Sequence, residues 1–184
     1  MKSVICPFTI CIDVQEKQPF SFTGLAADAD HDHALIEVPT VWKSLGASHG
    51  DYSIDGLESE VAVERKSLED AHGTLLGWGD RRERFQRELE TLAGLPCSAV
   101  VVECDFHELI ATAPQFGVKT SRENAKSLFR TVLAWGVRYR VPWFWCRDRR
   151  MAEIVTFRVL EGYWRHKQEA ERREKKVEKQ LALL

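Results

Sequence analysis

The sequence has no long hydrophobic run and no targeting segment at its start. None of its apolar stretches approaches the roughly 20 residues that a transmembrane helix needs. The first residues also lack the charged and small-residue pattern of a signal peptide. We therefore expect a cytoplasmic protein without a membrane partner, and the length of 184 residues favours a single domain.

Cysteine is too scarce and too scattered for a disulfide framework or a zinc site. The number is odd, and no two cysteines form a C-x-x-C pair. Most of them lie in apolar segments, so we expect reduced thiols in the core. The five positions are Cys6, Cys11, Cys97, Cys104 and Cys146.

The chain also has almost no net charge, at −2, and so lacks the overall basic character of many DNA-binding proteins. The distribution of charge matters more than the total, and arginines cluster in several segments. Such arginines are candidates for contacts to phosphates, although a solvated helix face is an equal alternative for any one of them. The predicted DNA-binding arginines are Arg81, Arg82, Arg84, Arg138 and Arg147.

Against this background, one predicted β-hairpin stands out. Its first arm, 51–54, reads Asp-Tyr-Ser-Ile and leads into Asp55-Gly56, a strong turn signal. Its second arm, 61–66, reads Val-Ala-Val-Glu-Arg-Lys, an apolar run that ends in three charged residues. Asp70 follows at a fixed offset. We predict that the charged ends of the two arms meet at one edge of a sheet.

The alternation of side chains along a strand places Glu64 and Lys66 on the same face and Arg65 on the other. The hairpin brings Asp51 beside Glu64. Two converging carboxylates form a hard oxygen site suited to Mg²⁺, and a lysine beside them can stabilise negative charge on a phosphate. Charged residues at a strand end are often only a solvated edge. The preceding apolar run and the flanking aspartates favour the metal site.

The pattern GD…VAVERKSLED resembles the GD…ERKxxxD signature of the XPF-type nuclease domain. The resemblance extends over roughly residues 8–164. One departure is Gln15, which stands where the family has an arginine. Further matches are Asp13, Glu16, Arg84-Phe85, Glu88-Leu89 and Glu103.

This resemblance implies an α/β fold of the restriction-endonuclease type, with a central mixed sheet flanked by helices. It also implies Mg²⁺- or Mn²⁺-dependent cleavage of DNA, in branched, flap or fork structures during repair or recombination, and it allows a homodimer. Carried over residue by residue, it implies metal ligands at Asp13, Asp51 and Glu64. The implied catalytic residues are Asp51, Glu64, Arg65, Lys66 and Asp70.

We expect a nuclease domain over 1–164 and a charged helical extension over 165–184. The extension leaves no room for the tandem helix-hairpin-helix module that many family members carry. The preference for branched or partly single-stranded DNA therefore rests on the resemblance alone.

The remaining patterns predict helices and strands in an alternating order, which is typical of an α/β domain. Capping boxes at Asp80–Glu83 and Thr120–Glu123 predict two helix starts. His72-Gly73 predicts a bend, and 20–34 a polar loop. Further expected elements are a strand over 3–13 broken at Pro7, a strand over 98–104, helices over 80–93, 106–113 and 120–139, a strand over 143–146 and a helix from 149 or 151 to 179.

Two alternatives to a nuclease remain open. A non-catalytic DNA-binding subunit would keep the nuclease fold, although intact Asp51, Glu64 and Lys66 argue against it. A protein-interaction subunit would act through the C-terminal extension. The group His31-Asp32-His33 invites a metal-site interpretation, but neighbouring loop residues rarely converge, and a solvated loop is favoured.

Overall fold

The computed structural model describes residues 3–28, 34–46, 49–112 and 121–182, with the backbone alone for 121–124. The His31-Asp32-His33 group and the predicted helix-capping residue Thr120 lie outside these ranges. None of the described helices is both long enough and apolar enough to cross a lipid bilayer.

The described strands form two sheets, and the larger one carries the predicted hairpin. The strands are β1 Ser3–Ile5, β2 Ile10–Asp13, β3 Leu25–Ala26, β4 Leu35–Glu37, β5 Thr40–Lys43, β6 Tyr52–Ile54, β7 Val61–Lys66, β8 Cys97–Val102 and β9 Trp143–Trp145. The larger sheet has six strands in the order β5-β2-β6-β7-β8-β9. It is mixed, because β6 runs antiparallel to its two neighbours and the other pairs are parallel.

Helices cover both faces of this sheet. They are α1 Leu68–Leu76, α2 Arg81–Ala93, α3 Phe106–Thr112, α4 Ser121–Tyr139 and α5 Arg149–Leu181. Helix α5 packs on one face, and the other four helices contribute to an apolar cluster on the opposite face. The expected mixed sheet flanked by helices is therefore confirmed.

The alternation along β7 follows the prediction. Val61 and Val63 join the apolar cluster that contains Phe157 of α5, whereas Ala62 joins the cluster that contains Phe85 of α2. Both faces of the neighbouring strand β8 are covered, and its valines Val100–Val102 are fully buried. The strand bearing the charged residues thus lies inside a sandwich, and only its carboxyl end opens to solvent.

The segment after Asp70 differs from the prediction, because His72-Gly73 lies inside α1 and is not a bend. The helix is started by Ser67, whose hydroxyl accepts a hydrogen bond from the Asp70 amide at 3.1 Å. It ends at Gly77, in the left-handed conformation with φ of 77°. Gly73 packs closely against α2, and a Cβ there would lie 2.6 Å from a guanidinium nitrogen of Arg81, so this arginine would have to shift.

Two other local predictions need correction. Asp80 does precede the first residue of α2, but its side chain makes no capping hydrogen bond, so the predicted capping box is not formed. The expected strand over 3–13 divides at Pro7 as predicted, but its first part, β1, belongs to a separate three-stranded sheet. The third strand of that sheet, β3, lies within the predicted loop 20–34.

Candidate active site

The predicted hairpin ends at an open polar cleft with a volume of about 380 Å³. The cleft lies between the end of β7 and the start of α1. Residues 15–18, which follow β2, form one of its walls. The lining residues are Gln15, Glu16, Lys17, Gln18, Asp51, Glu64, Arg65, Lys66, Ser67, Glu69 and Asp70. Of the predicted catalytic set, all five residues line this cleft.

Gly50 determines where Asp51 lies. Its φ of 80° is favourable for glycine, and a Cβ at this position would approach the carbonyl oxygen of Val63 to 3.0 Å. This close approach lets the Asp51 amide donate to Val63 O at 2.9 Å. The Asp51 carboxylate then accepts a hydrogen bond from the Arg65 amide at 2.7 Å. Asp51 is therefore fixed against the end of β7, beside Glu64.

The two carboxylates interact unfavourably in the absence of a cation. Burial raises the pKa of Asp51 well above its usual range, and the negative charge of Glu64 raises it further. The Arg65 amide and the Lys66 ammonium act in the opposite direction without cancelling this increase. Because full ionisation of these carboxylates is unfavourable, a bound cation would stabilise their ionised form.

Lys66 is held by three groups. Its Nζ lies 2.5 Å from Glu64 Oε1, 3.6 Å from Glu88 Oε2 and 4.2 Å from the centre of the Phe85 ring. Burial by itself lowers the pKa of Lys66, but the carboxylates of Glu64 and Glu88 outweigh this effect and raise it. These carboxylates favour the ammonium form of Lys66, which is suited to stabilising negative charge.

Glu88 of α2 is part of the site, although it was not assigned to the site from the sequence. Burial, followed by repulsion from Glu64, raises the pKa of Glu88. Its Oε2 atom is buried without a hydrogen-bond partner. The sequence does carry a signal, because Glu88 lies on the same helical face as Phe85 and Leu89, where an apolar residue would be expected.

This donor set fits a hard divalent cation. Three carboxylates, from Asp51, Glu64 and Glu88, surround one lysine ammonium, so negative groups exceed positive ones in a buried setting. Glu88 Oε2 makes no hydrogen bond and has the Lys66 ammonium at 3.6 Å. Carboxylate oxygens are the ligands that Mg²⁺ and Mn²⁺ prefer.

Asp13, a predicted metal ligand, is engaged by backbone amides in this structure. One carboxylate oxygen accepts from the Gln15 amide and the other from the Leu45 amide, each at 2.7 Å. Asp13 is buried, and it is not among the residues that line the cleft. Its carboxylate anchors the start of the cleft wall to the chain after β5, which is a structural role.

Arg65 also differs from the simple expectation of a catalytic residue. It leaves β7 on the face opposite Glu64, and its guanidinium is buried between Glu103, at 2.7 Å, and Glu16, at 3.2 Å. The positive charge of Arg65 is thus paired with two glutamates within the protein.

Asp70 lines the cleft but remains half exposed. Its carboxylate accepts a hydrogen bond from the Ser67 hydroxyl at 2.9 Å, and it lies 3.7 Å from Arg81. The aspartate of the motif therefore organises the first turn of α1 next to Lys66.

The predicted DNA-binding arginines divide into engaged and exposed groups. Arg82 is engaged, since it donates to Leu75 O at 2.8 Å and stacks on Trp135 at 5.1 Å. Arg138 lies beside Glu90, and neither Arg138 nor Arg84 lines the cleft. Arg147 is 81% exposed and is paired with its neighbour Asp148.

A second group of potential ligands lies at the other end of the hairpin. Within the described residues, Cys11, Asp55 and Glu58 bring ligand atoms within 4.8 Å of one another. Lys43 already places its ammonium 3.1 Å from Asp55 and 2.5 Å from Glu58. Because this lysine supplies the positive charge, we assign the group no metal.

A comparison with solved structures identifies proteins with a similar fold. XPF from Aeropyrum pernix is similar over 89% of this chain and 69% of that chain, with a TM-score of 0.56 and 17% identity. This chain shares the fold of XPF. XPF from Aeropyrum pernix in complex with DNA gives a TM-score of 0.56 at 18% identity, over 86% of this chain and 66% of that chain.

At this level of identity, the likeness to XPF concerns the fold. The chain spans about two thirds of the length of these XPF chains. No protein-family model matches the sequence, and no curated protein matches it.

Proposed function

We propose that this protein is a Mg²⁺- or Mn²⁺-dependent DNA endonuclease. The observation that carries the proposal is the grouping of Asp51, Glu64 and Lys66 at the open end of one buried strand, with a carboxylate excess that a cation would neutralise. The shared fold with XPF, one of whose structures is a complex with DNA, supports DNA as the substrate.

Asp51 and Glu64 would hold the cation. Glu88 would act indirectly, through its ion pair with Lys66. A divalent cation in such a site supplies polarisation of the phosphate and acidification of water. Lys66, held as an ammonium ion, stabilises the negative charge that develops on the phosphoryl oxygens. The Arg65 amide keeps the Asp51 carboxylate oriented during this process.

The cleft is open and is lined mainly by polar and charged side chains. In line with the resemblance to XPF-type nucleases, we propose branched, flap or fork DNA as the substrate, in repair or recombination.

A cleavage panel tests the proposed activity. Single-stranded, duplex, flap, fork and four-way DNA are incubated with Mg²⁺, Mn²⁺ or EDTA. We expect cleavage that requires a cation and falls about 100-fold or more in Lys66→Ala, since it loses a charge-stabilising group. Lys179→Ala, in the exposed C-terminal helix, is the matched control and should cut normally.

Equal cutting by wild type and Lys66→Ala would refute the proposal. DNA binding without any cutting would instead support a non-catalytic DNA-binding subunit.

We further propose that two copies associate through the α4–β9 surface, whose ridge is defined by Phe129, Leu133 and Val137. All three side chains are exposed, Val137 by 79%. Next to this ridge, Gly136 borders an open hollow between α4 and β9 that is also lined by Trp143 and Trp145. A surface with both a ridge and a hollow can match itself about a twofold axis.

Sedimentation analysis tests this association. Val137→Asp should shift a wild-type dimer to a monomer, because it places a charge in the apolar contact. Val177→Asp, at another exposed valine in the C-terminal helix, should remain dimeric. A wild-type protein that is monomeric at high concentration would rule the surface out as a self-association site.

A further inference from the structure

Behind the cleft, two arginines and two glutamates form a continuous ion-pair network. Arg65 Nε donates to Glu103 Oε1 at 2.7 Å, and its Nη2 donates to Oε2 at 3.1 Å, so the pair is bidentate. Arg65 Nη1 also donates to Glu16 Oε2 at 3.2 Å. Arg149, from the first turn of α5, donates to the same Glu103 at 2.5 Å.

Arg149 also donates hydrogen bonds to backbone carbonyls at the end of the cleft wall. Its Nη2 donates to Gln18 O at 2.6 Å and to Pro19 O at 2.9 Å. Its guanidinium carbon lies 4.8 Å from the centre of the Phe20 ring. One side chain therefore holds the polypeptide that follows the wall residues 15–18.

The same segment is connected to the strand that carries Asp51. Phe20 stacks on Tyr52 with 5.1 Å between ring centres, and the Phe20 amide donates to the Tyr52 hydroxyl at 2.9 Å. Tyr52 is the residue immediately after Asp51. Movement of the 18–20 segment would therefore affect both the wall of the cleft and the hairpin that presents the carboxylate.

We propose that Arg149 is a positioning residue for the site: it clamps the wall residues 15–18 against β7 through Glu103 and the carbonyls of Gln18 and Pro19. This inference rests on the proposed nuclease function for its kinetic consequence, but the clamp itself is independent of it. Arg149 lies 83 residues beyond Lys66, outside the motif, and does not line the cleft.

The geometry requires arginine at this position. A lysine has a single ammonium group and cannot reach a carboxylate and two carbonyls with the planar arrangement that arginine offers. Loss of the side chain would leave two carbonyls without their donor and Glu103 with one fewer counter-charge. A displacement of about 1 Å at a catalytic site can cost about 100-fold in rate.

The test compares Arg149→Met and Arg149→Lys with Arg147→Met. Arg147 is the matched control, because it is an arginine two residues away with 81% exposure and a contact to Asp148. Cleavage is measured well below the melting temperature of every variant, so that folded protein is compared with folded protein. Hydrogen exchange of residues 15–20 is measured on the same samples.

We expect Arg149→Met to lower kcat about 10-fold or more with a much smaller change in KM, and to speed exchange in residues 15–20 but not in β8. Arg149→Lys should recover only part of the rate, and Arg147→Met should match wild type. A kcat within twofold of wild type in Arg149→Met would overturn the proposal.

A double variant separates positioning from a general loss of stability. Glu103→Gln combined with Arg149→Met should lose less activity than the product of the two single losses, because both substitutions break the Arg149–Glu103 pair. Fully multiplicative losses would overturn the proposal.

The exchange measurement separates failure of this proposal from failure of the nuclease assignment. If wild type does not cut DNA, faster exchange of residues 15–20 in Arg149→Met still supports the clamp. Unchanged exchange there overturns it.

Discussion

Individual side chains in the cleft are placed at a cost in stability. Asp51 is buried next to Glu64, and both burial and the like charge raise the pKa of Asp51. Lys66 offsets only part of this negative charge, since Glu88 adds more. Functional sites often retain such unfavourable groups, and replacing them tends to stabilise the fold.

The substitution Asp51→Asn should therefore separate stability from activity. Asparagine retains an oxygen for the Arg65 amide but removes the charge. We expect the variant to unfold at a temperature about 2–4 °C higher than wild type in EDTA, for a gain on the order of 1 kcal/mol. We expect its DNA cleavage to fall about 100-fold or more.

Adding Mg²⁺ provides the control for this prediction. Wild type should gain thermal stability with Mg²⁺, because a ligand of the folded state stabilises it, whereas Asp51→Asn should gain much less. An Asp51→Asn variant that is less stable than wild type in EDTA would contradict the account of the carboxylate pair.

At the level of elements, the β6–β7 hairpin and the start of α1 hold the site together. Gly50 lets the chain pass so close to Val63 that Asp51 can bond to the end of β7. Ser67 begins α1 directly after Lys66, and Asp70 completes that first turn. The local conformation at Gly50 and at Ser67 thus fixes the positions of Asp51, Lys66 and Asp70.

Gly50→Ala should reveal this close approach. The new methyl group would meet backbone atoms of Val63 at 3.0–3.1 Å, in addition to the strain of a positive φ. We expect a loss of about 2–4 kcal/mol in unfolding free energy by denaturant titration, and a loss of cleavage in the folded fraction.

Gly56→Ala is the matched control for the hairpin. Gly56 has nearly the same φ, 81°, but a Cβ there meets no atom within 4 Å. It should therefore lose only the roughly 1–2 kcal/mol that the backbone conformation costs. Equal losses in both variants would show that the contact with Val63 is unimportant.

For the whole molecule, α5 connects the cleft with the far end of the sheet. It begins at Arg149, beside the cleft wall, and reaches Glu60, at the start of β7, through Tyr163 and Lys167. The helix continues without a break across the predicted boundary at 164–165. The division into a nuclease domain and an extension remains a prediction, and contacts with the body reach at least Lys167.

Two truncations test where the folded unit ends. Removal of 173–184 should leave the melting temperature within about 1 °C of wild type, because exposed surface residues contribute little. Removal of 165–184 should lower the melting temperature further, because this truncation deletes the ion pairs Arg165–Asp28 and Lys167–Glu60. Equal melting temperatures for the two truncations would place the end of the unit at residue 164.

The sequence by itself determined the arrangement of Asp51, Glu64 and Lys66. Their placement depends on local rules, namely a turn signal at Asp55-Gly56 and the alternation of side chains along a strand, which act over a short stretch of chain. The mixed sheet flanked by helices was also predictable, from the resemblance and from the order of apolar segments.

Tertiary structure decided which other charged residues join the site. Asp13 looks like a ligand in sequence, but folding places the Leu45 amide, 32 residues away, on its carboxylate. Glu88 lies in α2 and Arg149 in α5, and the positions of these helices depend on packing across the whole sheet. Pairings between distant segments carry no periodic signal in the sequence, so only the folded chain shows that the hairpin is completed by α2 and α5.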